Sequence, residues 1–220
     1  MRNVLFDLDG TLTDPVVGIV RSFQHALRAV CGPSWTDIEL QQFIGPPFRE
    51  VFETLLQTED PELNERAIRA YRERYGTQGL YENVVYSGIR ETLGELRSMG
   101  IRLWVVTSKP QIYADRIIEH FQLREFFAGV YGSELSGERS KKAELLRHVL
   151  REEHVEPLTA CMIGDRRHDI GGARASNVVG LGALWGYGSR EELELAGARA
   201  LIDSPSAIRS AIRGLTPSCG

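Results

Sequence analysis

The chain is poor in cysteine, with three among 220 residues. Cys31, Cys161 and Cys219 are odd in number, far apart and form no C-x-x-C pair, which argues against a disulfide framework or a zinc site. Cys161 lies inside the apolar run Ala160-Cys161-Met162-Ile163 and reads as a small core residue rather than a nucleophile. Long hydrophobic runs are missing too. No stretch has the length of a membrane span and the first residues carry no signal-peptide pattern, so a cytoplasmic setting is expected. Excess positive charge is also lacking, since 26 basic residues against 30 acidic ones leave a formal net charge of −4. That balance excludes a general attraction to nucleic acid or to an anionic membrane, so a phosphorylated ligand needs a local positive site. The sequence contains no internal repeats and no low-complexity segments.

What it does contain is ordinary globular material, 42% hydrophobic and 25% charged. The length suits one large domain, or a domain carrying an inserted subdomain. The most informative segment is Asp7-Leu8-Asp9-Gly10-Thr11, which follows Val4-Leu5-Phe6, a short buried strand ending in a turn signal. Burying like charges side by side is expensive unless a cation or a proton offsets them. Two carboxylates at a strand's carboxyl end, with a glycine letting the chain turn away, suggest a nucleophile, an acid/base and a metal ligand. The alternative is an Asp-Gly turn with a surface aspartate beside it.

Further apolar runs occur at 103–106, 129–131, 160–163 and 178–181, separated by helical patterns at 89–99, 112–121, 143–153 and 170–176. This alternation predicts a parallel sheet covered by helices on both faces. In such sheets the polar residues at strand carboxyl ends gather along one edge, where ligands bind. Asp7, Thr107 and Asp165 each end an apolar run and are expected to meet there. Between 14 and 85 no buried strand stands out, only helical patterns at 16–31, 36–43, 48–57 and 62–76, punctuated by Pro15, Pro33, Pro46-Pro47 and Pro61. We read residues 14–85 as a helical cap subdomain, inserted into a core of residues 1–13 and 86–220. Such a cap closes over strand ends and excludes water.

Three more features join the first pentapeptide. Val105-Val106-Thr107-Ser108-Lys109-Pro110 brings a hydroxyl to a strand end just before a helix, where backbone amides can hold an anionic oxygen. Lys141 or Lys142 opens the helix that continues Ala143-Glu144-Leu145-Leu146. Ile163-Gly164-Asp165-Arg166-Arg167-His168-Asp169 supplies a second acidic pair. Asp165 also stands where an aspartate can cap the next helix. Arg49, after Gly45-Pro46-Pro47-Phe48, either reaches a substrate anion or is an exposed helix arginine. Arg166, Arg167 and His168 are expected at the rim, and Trp104 and Trp185 in packing roles.

In this order and spacing the four features resemble the haloacid dehalogenase-like hydrolases, over nearly the whole chain and including the helical insert. Within that superfamily the sequence looks most like the phosphoglycolate phosphatase group with a small helical cap. Gly186-Tyr187-Gly188-Ser189 and Ala196-Gly197-Ala198 look like a branch described as 5′-nucleotidases. The resemblance implies an α/β fold class, a doubly wound, mostly parallel Rossmann-like sheet core with an inserted α-helical cap. It also implies Mg²⁺-dependent hydrolysis of a small metabolite's phosphomonoester, phosphoglycolate or a nucleoside 5′-monophosphate, through an aspartyl-phosphate. Asp7 is then the nucleophile and Asp9 the acid/base. An aspartate at position 9 favours phosphate esters over carbon–halogen bonds, because the dehalogenating relatives lack that acid.

By the same resemblance Mg²⁺ is held by the Asp7 side chain, the Asp9 main-chain carbonyl and Asp165. Asp169 either joins them or supports the metal shell and the lysine. Thr107 and Ser108 contact the phosphoryl group. The resemblance selects Lys142 as the phosphate-binding cation, with Lys141 as the alternative. A phosphotransferase or sugar-phosphate mutase shares the first chemical step. A phospho-acceptor signalling module shares the acids, but the helical insert and Asp9 weigh against it. The expected partner is a small phosphorylated metabolite, with no nucleic acid polymer and no membrane, and the protein is expected to be a monomer or a homodimer.

Overall fold

The computed structural model describes residues 1–45 and 48–215, without the side chains of Phe48 and Arg49. Cys219 therefore lies outside the described residues. The chain divides into two compact units: Met1–Asp14 with the chain from Val85 onward, and Pro15–Val84.

The first unit begins with β1 (Asn3–Phe6) and the two-residue β2 (Thr13–Asp14). The second unit holds four helices, α1 (Val16–Ala29), α2 (Asp37–Gln41), α3 (Phe48–Leu56) and α4 (Pro61–Thr77). After β3 (Val84–Val85), strands and helices alternate: α5 (Ile89–Ser98), β4 (Arg102–Pro110), α6 (Gln111–His120) and β5 (Gly129–Ser133). The alternation continues through α7 (Lys142–Glu152), β6 (Ala160–Gly164), α8 (Arg167–Ala175) and β7 (Val179–Ala183). It ends with α9 (Arg190–Ala196), β8 (Ala200–Ile202) and α10 (Ile208–Gly214).

Six strands form one parallel sheet in the order β5-β4-β1-β6-β7-β8. β1 is central, with Phe6 opposite Val105 of β4 on one side and Ile163 of β6 on the other. Strand residues alternate between faces. Leu5, Trp104, Val106, Ala160 and Met162 cluster with Leu145, Leu146 and Val149 of α7 and Ala173 of α8. Their neighbours Val4, Phe6, Leu103, Val105, Cys161 and Ile163 point the other way and are just as buried. Burial on both faces explains why these strands read as continuous apolar runs rather than alternating ones. Cys161 is fully buried, and burial pushes its thiol up to about 12, as expected of a core residue. Trp104 packs in the same cluster and donates from Nε1 to Asn3 Oδ1 at 3.2 Å.

The sheet exceeds the reading from sequence. β8 is a sixth strand, and its three residues are too short a run to stand out. β7 reaches Ala183, and β4 extends to Pro110, with a register shift against β5 between Val106 and Pro110. β2 and β3 pair as a separate two-stranded sheet, so strand residues occur at both ends of the segment read as helical throughout.

The helical unit has its own aromatic core. Phe23 of α1 lies 5.7 Å from Phe52 of α3 and 5.0 Å from Tyr71 of α4, and Tyr71 stacks on Tyr75 at 5.4 Å, centroid to centroid. Its helix starts follow capping chemistry. Thr36 and Glu39 form a reciprocal capping box at α2, and Asp60 caps α4 with Pro61 in the first turn. Among the described residues no helix is long and apolar enough to cross a membrane.

Candidate active site

The parallel register delivers the ends of β1 and β6 to one edge of the sheet, while Thr107, expected at a strand end, lies inside β4. Asp7 follows β1, and its N–H donates to Ile163 O at 2.9 Å, anchoring it beside the end of β6. Asp165 follows that strand after Gly164, and Val106 and Thr107 continue β4 past the Phe6–Val105 pair. The chain then turns sharply. The amides of Thr11, Leu12 and Thr13 all donate to Leu8 O, at 3.3, 2.9 and 3.0 Å. Gly10 has φ +81°, and a Cβ there would stand 2.3 Å from Asp165 Oδ2, so the turn needs glycine on both counts.

Lys142, the first residue of α7, is buried at this edge. Its Nζ donates to Asp7 Oδ1 at 2.8 Å and to Val106 O at 2.9 Å, and it lies 2.8 Å from Asp169 Oδ1. Lys141 is exposed, so of the two candidate lysines Lys142 is the one among the carboxylates. Burial alone pulls an ammonium's pKa down, but Asp169 and Asp7 outweigh it and hold Lys142 above its ordinary range.

Asp165 is completely buried. Its Oδ1 accepts from Thr11 Oγ1 at 3.1 Å and its Oδ2 from Tyr187 N–H at 2.8 Å. Even so, burial, with the charges of Asp169 and Asp7, pushes its carboxyl up to about 8. Asp169 is raised less, chiefly by burial, because Lys142 stands against it. Asp169 Oδ2 also accepts from Arg166 N–H at 3.1 Å, so the cap of α8 comes from Asp169, and Asp165 does not supply it.

Asp7, Asp165 and Asp169 each offer a carboxylate oxygen within 4.8 Å of the others. Lys142 pairs with Asp7 and Asp169, while Asp165 is pushed up first by burial and then by its two acidic neighbours. Hard oxygen donors in such a cluster fit a divalent cation of the Mg²⁺ type.

Asp9 stands apart from that cluster. Its Oδ2 is paired with Lys109 Nζ, and its Oδ1 is buried without a hydrogen-bond partner. Burial raises its pKa against the pull of Lys109. Thr107 Oγ1 accepts from Lys109 N–H at 3.2 Å, and Ser108 O accepts from Ser133 Oγ at 2.8 Å. Arg166 Nε meets Glu192 Oε1 at 3.0 Å, and Arg167 and His168 are exposed. The Arg49 side chain, offered as a substrate contact, lies outside the described residues.

Sequence reasoning gave no role to Lys109, Thr11 or Tyr187. Lys109 stands in the quoted Thr-Ser-Lys-Pro segment, and only the extension of β4 to Pro110 brings its charge to Asp9. Tyr187 belongs to the Gly-Tyr-Gly-Ser segment already singled out.

A model of the haloacid dehalogenase-like hydrolase family matches residues 4–183. A Pseudomonas aeruginosa protein named 5′-nucleotidase is 45% identical over 192 residues, covering 87% of this chain and 86% of its own. The Mycobacterium tuberculosis protein named tyrosine-protein kinase PtkA is 38% identical over 191 residues, covering 87% of this chain, and this chain spans 65% of that longer protein. A crystal structure described as a predicted phosphatase from Clostridium acetobutylicum superposes with a TM-score of 0.92 at 37% identity, covering 97% of this chain and 98% of that one. The six-stranded parallel sheet, the acids at its edge and these likenesses agree, and the chain belongs to the haloacid dehalogenase-like hydrolases.

Proposed function

We propose that the protein is a Mg²⁺-dependent phosphomonoesterase acting on a small phosphorylated metabolite. The observation that carries this reading is the buried cluster of Asp7, Asp165 and Asp169 around Lys142. Nucleoside 5′-monophosphates are the first substrate class to test, because the 45% identical relative is named for them. Phosphoglycolate is the second, from the motif resemblance.

In this reading Asp7 attacks phosphorus, forming an aspartyl-phosphate as the ester P–O bond breaks. Asp9 gives its proton to the departing alcohol oxygen, a role that burial favours by raising its pKa against the pull of Lys109. Asp9 then takes a proton from water as the water oxygen attacks phosphorus, which frees Asp7 and releases inorganic phosphate. Lys142 offsets the charge of Asp7 and lets an anionic phosphoryl group approach it. Thr107 and Ser108 orient the phosphoryl oxygens. Asp7, Asp165, the Asp9 carbonyl and, through Lys142, Asp169 are the residues that would hold or support Mg²⁺. The ion supplies charge neutralisation and a template for phosphoryl transfer.

The test is inorganic phosphate release from p-nitrophenyl phosphate, nucleoside 5′-monophosphates and phosphoglycolate with Mg²⁺. Asp7→Asn is expected to lower turnover at least about 10³-fold. A well-folded wild-type protein without turnover overturns the enzyme reading. The likeness to a protein named as a kinase favours one alternative, transfer of the phosphoryl group to an acceptor hydroxyl. Phosphate release in water without any acceptor alcohol decides against it.

A further inference from the structure

The segment Trp185-Gly186-Tyr187-Gly188, which follows β7, takes no part in the mechanism above, yet it is built closely around Asp165. A Cβ on Gly186 would lie 2.4 Å from Asp165 Cβ, and one on Gly188 would lie 1.9 Å from Asp165 O, so this backbone approaches where no side chain fits. Trp185 Nε1 donates to Thr11 O at 2.9 Å, and Thr11 Oγ1 in turn holds Asp165 Oδ1. Tyr187 makes the longer connection. Its amide donates to Asp165 Oδ2, and its hydroxyl donates to Asp14 Oδ1 and hydrogen-bonds the hydroxyl of Tyr86. Asp14 is the last residue of the sheet unit before the chain leaves it, and Tyr86 is the second residue after it returns.

The geometry points to Tyr187 as a positioning residue that ties both chain crossings to Asp165 and so sets the affinity of the acidic cluster for its divalent cation. This rests on the cation site proposed above. One residue holds the carboxylate by its main chain and the two crossings by its side chain. Removing only the hydroxyl leaves the amide bond to Asp165 in place but frees the loop that carries it. A phenylalanine at this position keeps the ring and its packing, so loss of bulk is not what the substitution reads.

The experiment is Mn²⁺ binding to the substrate-free protein, followed by electron paramagnetic resonance of the free ion and by calorimetry, for wild type, Tyr187→Phe, Asp14→Ala, Tyr86→Phe and the Tyr187→Phe/Asp14→Ala pair. Tyr187→Phe is expected to weaken Mn²⁺ binding about 3- to 10-fold, the range of one lost hydrogen bond. Asp14→Ala is expected to act similarly, Tyr86→Phe more weakly, and the pair no worse than the stronger single change. Melting temperature in EDTA reports any general loss of stability. Mn²⁺ affinity within about 2-fold of wild type, the spread of uneventful substitutions, in both Tyr187→Phe and Asp14→Ala overturns the inference, as does a double variant whose effects multiply. If Tyr187→Phe does not fold, Asp14→Ala and Tyr86→Phe decide the question. Wild-type protein that binds no Mn²⁺ overturns the cation site itself, a separate outcome.

Discussion

Lys142 and Lys109 are both buried cations, each against a carboxylate, and they do different work. Lys142 sits between Asp7 and Asp169, so Lys142→Met leaves two buried acids facing each other. Stripping one partner from a buried pair costs about 3–5 kcal/mol and, with Asp7 as the proposed nucleophile, losing the preorganised charge beside it costs roughly 10²–10³ in turnover. Denaturant melts and phosphate release on Lys142→Met are expected to show both losses, while Lys141→Met, at an exposed position, shows neither. Lys109 lowers the pKa of Asp9 against the upward push of burial. Lys109→Gln therefore raises that pKa further and moves the limb of the pH–rate profile set by Asp9 toward higher pH. A profile that stays in place or moves down contradicts the pairing of Asp9 with Lys109.

At the scale of elements, the start of α4 offers a clean test of local energetics. Asp60 Oδ1 accepts from Glu62 N–H at 2.9 Å and from Leu63 N–H at 3.5 Å. Asp60→Ala is expected to cost about 1 kcal/mol, read as a lower denaturation midpoint with an unchanged slope. That helix start is legible in the sequence, because Pro61 suits the first turn of a helix and little else in a helical run. The apolar runs of β1, β4 and β6 are legible for a different reason: both faces are buried, so hydrophobicity is continuous. With those strands parallel, Asp7 and Asp165 come to one edge by topology, whereas Thr107 lies within β4, which continues to Pro110. What escapes is information carried by pairing rather than pattern. β8 has three residues and is held by its hydrogen bonds to β7. Lys109 reads as a turn lysine until the strand is known to continue through it. The grip of the Tyr187 loop on Asp165 depends on backbone contacts, which residue types do not announce.

For the whole molecule, the acidic edge links folding to pH and, through the proposed cation site, to divalent cations. Asp165 carries a folded-state pKa of about 8, against an ordinary value of 3.8. Between those values the folded protein holds a proton that the unfolded chain has released. Cation-free protein therefore loses stability as pH rises from about 4 to about 8. A divalent cation displaces that proton, so its affinity grows over the same interval. Thermal melts in EDTA and in Mg²⁺ are expected to diverge, with a larger Mg²⁺-induced rise at pH 8 than at pH 6. Asp165→Asn flattens that difference. Equal shifts at both pH values contradict a proton held at Asp165.

The central place of β1 has a consequence for how the protein is made. Its hydrogen-bonded neighbours lie roughly a hundred residues further along the chain in β4 and roughly a hundred and sixty in β6. During synthesis at about 5–20 residues per second, β6 leaves the ribosome on the order of ten seconds after β1. Until then the strand that carries Asp7 is an apolar ribbon with no permanent neighbours, and the helical unit, whose contacts are nearer in sequence, has the earlier opportunity to form. Asp7 is translated well before the strands that place it.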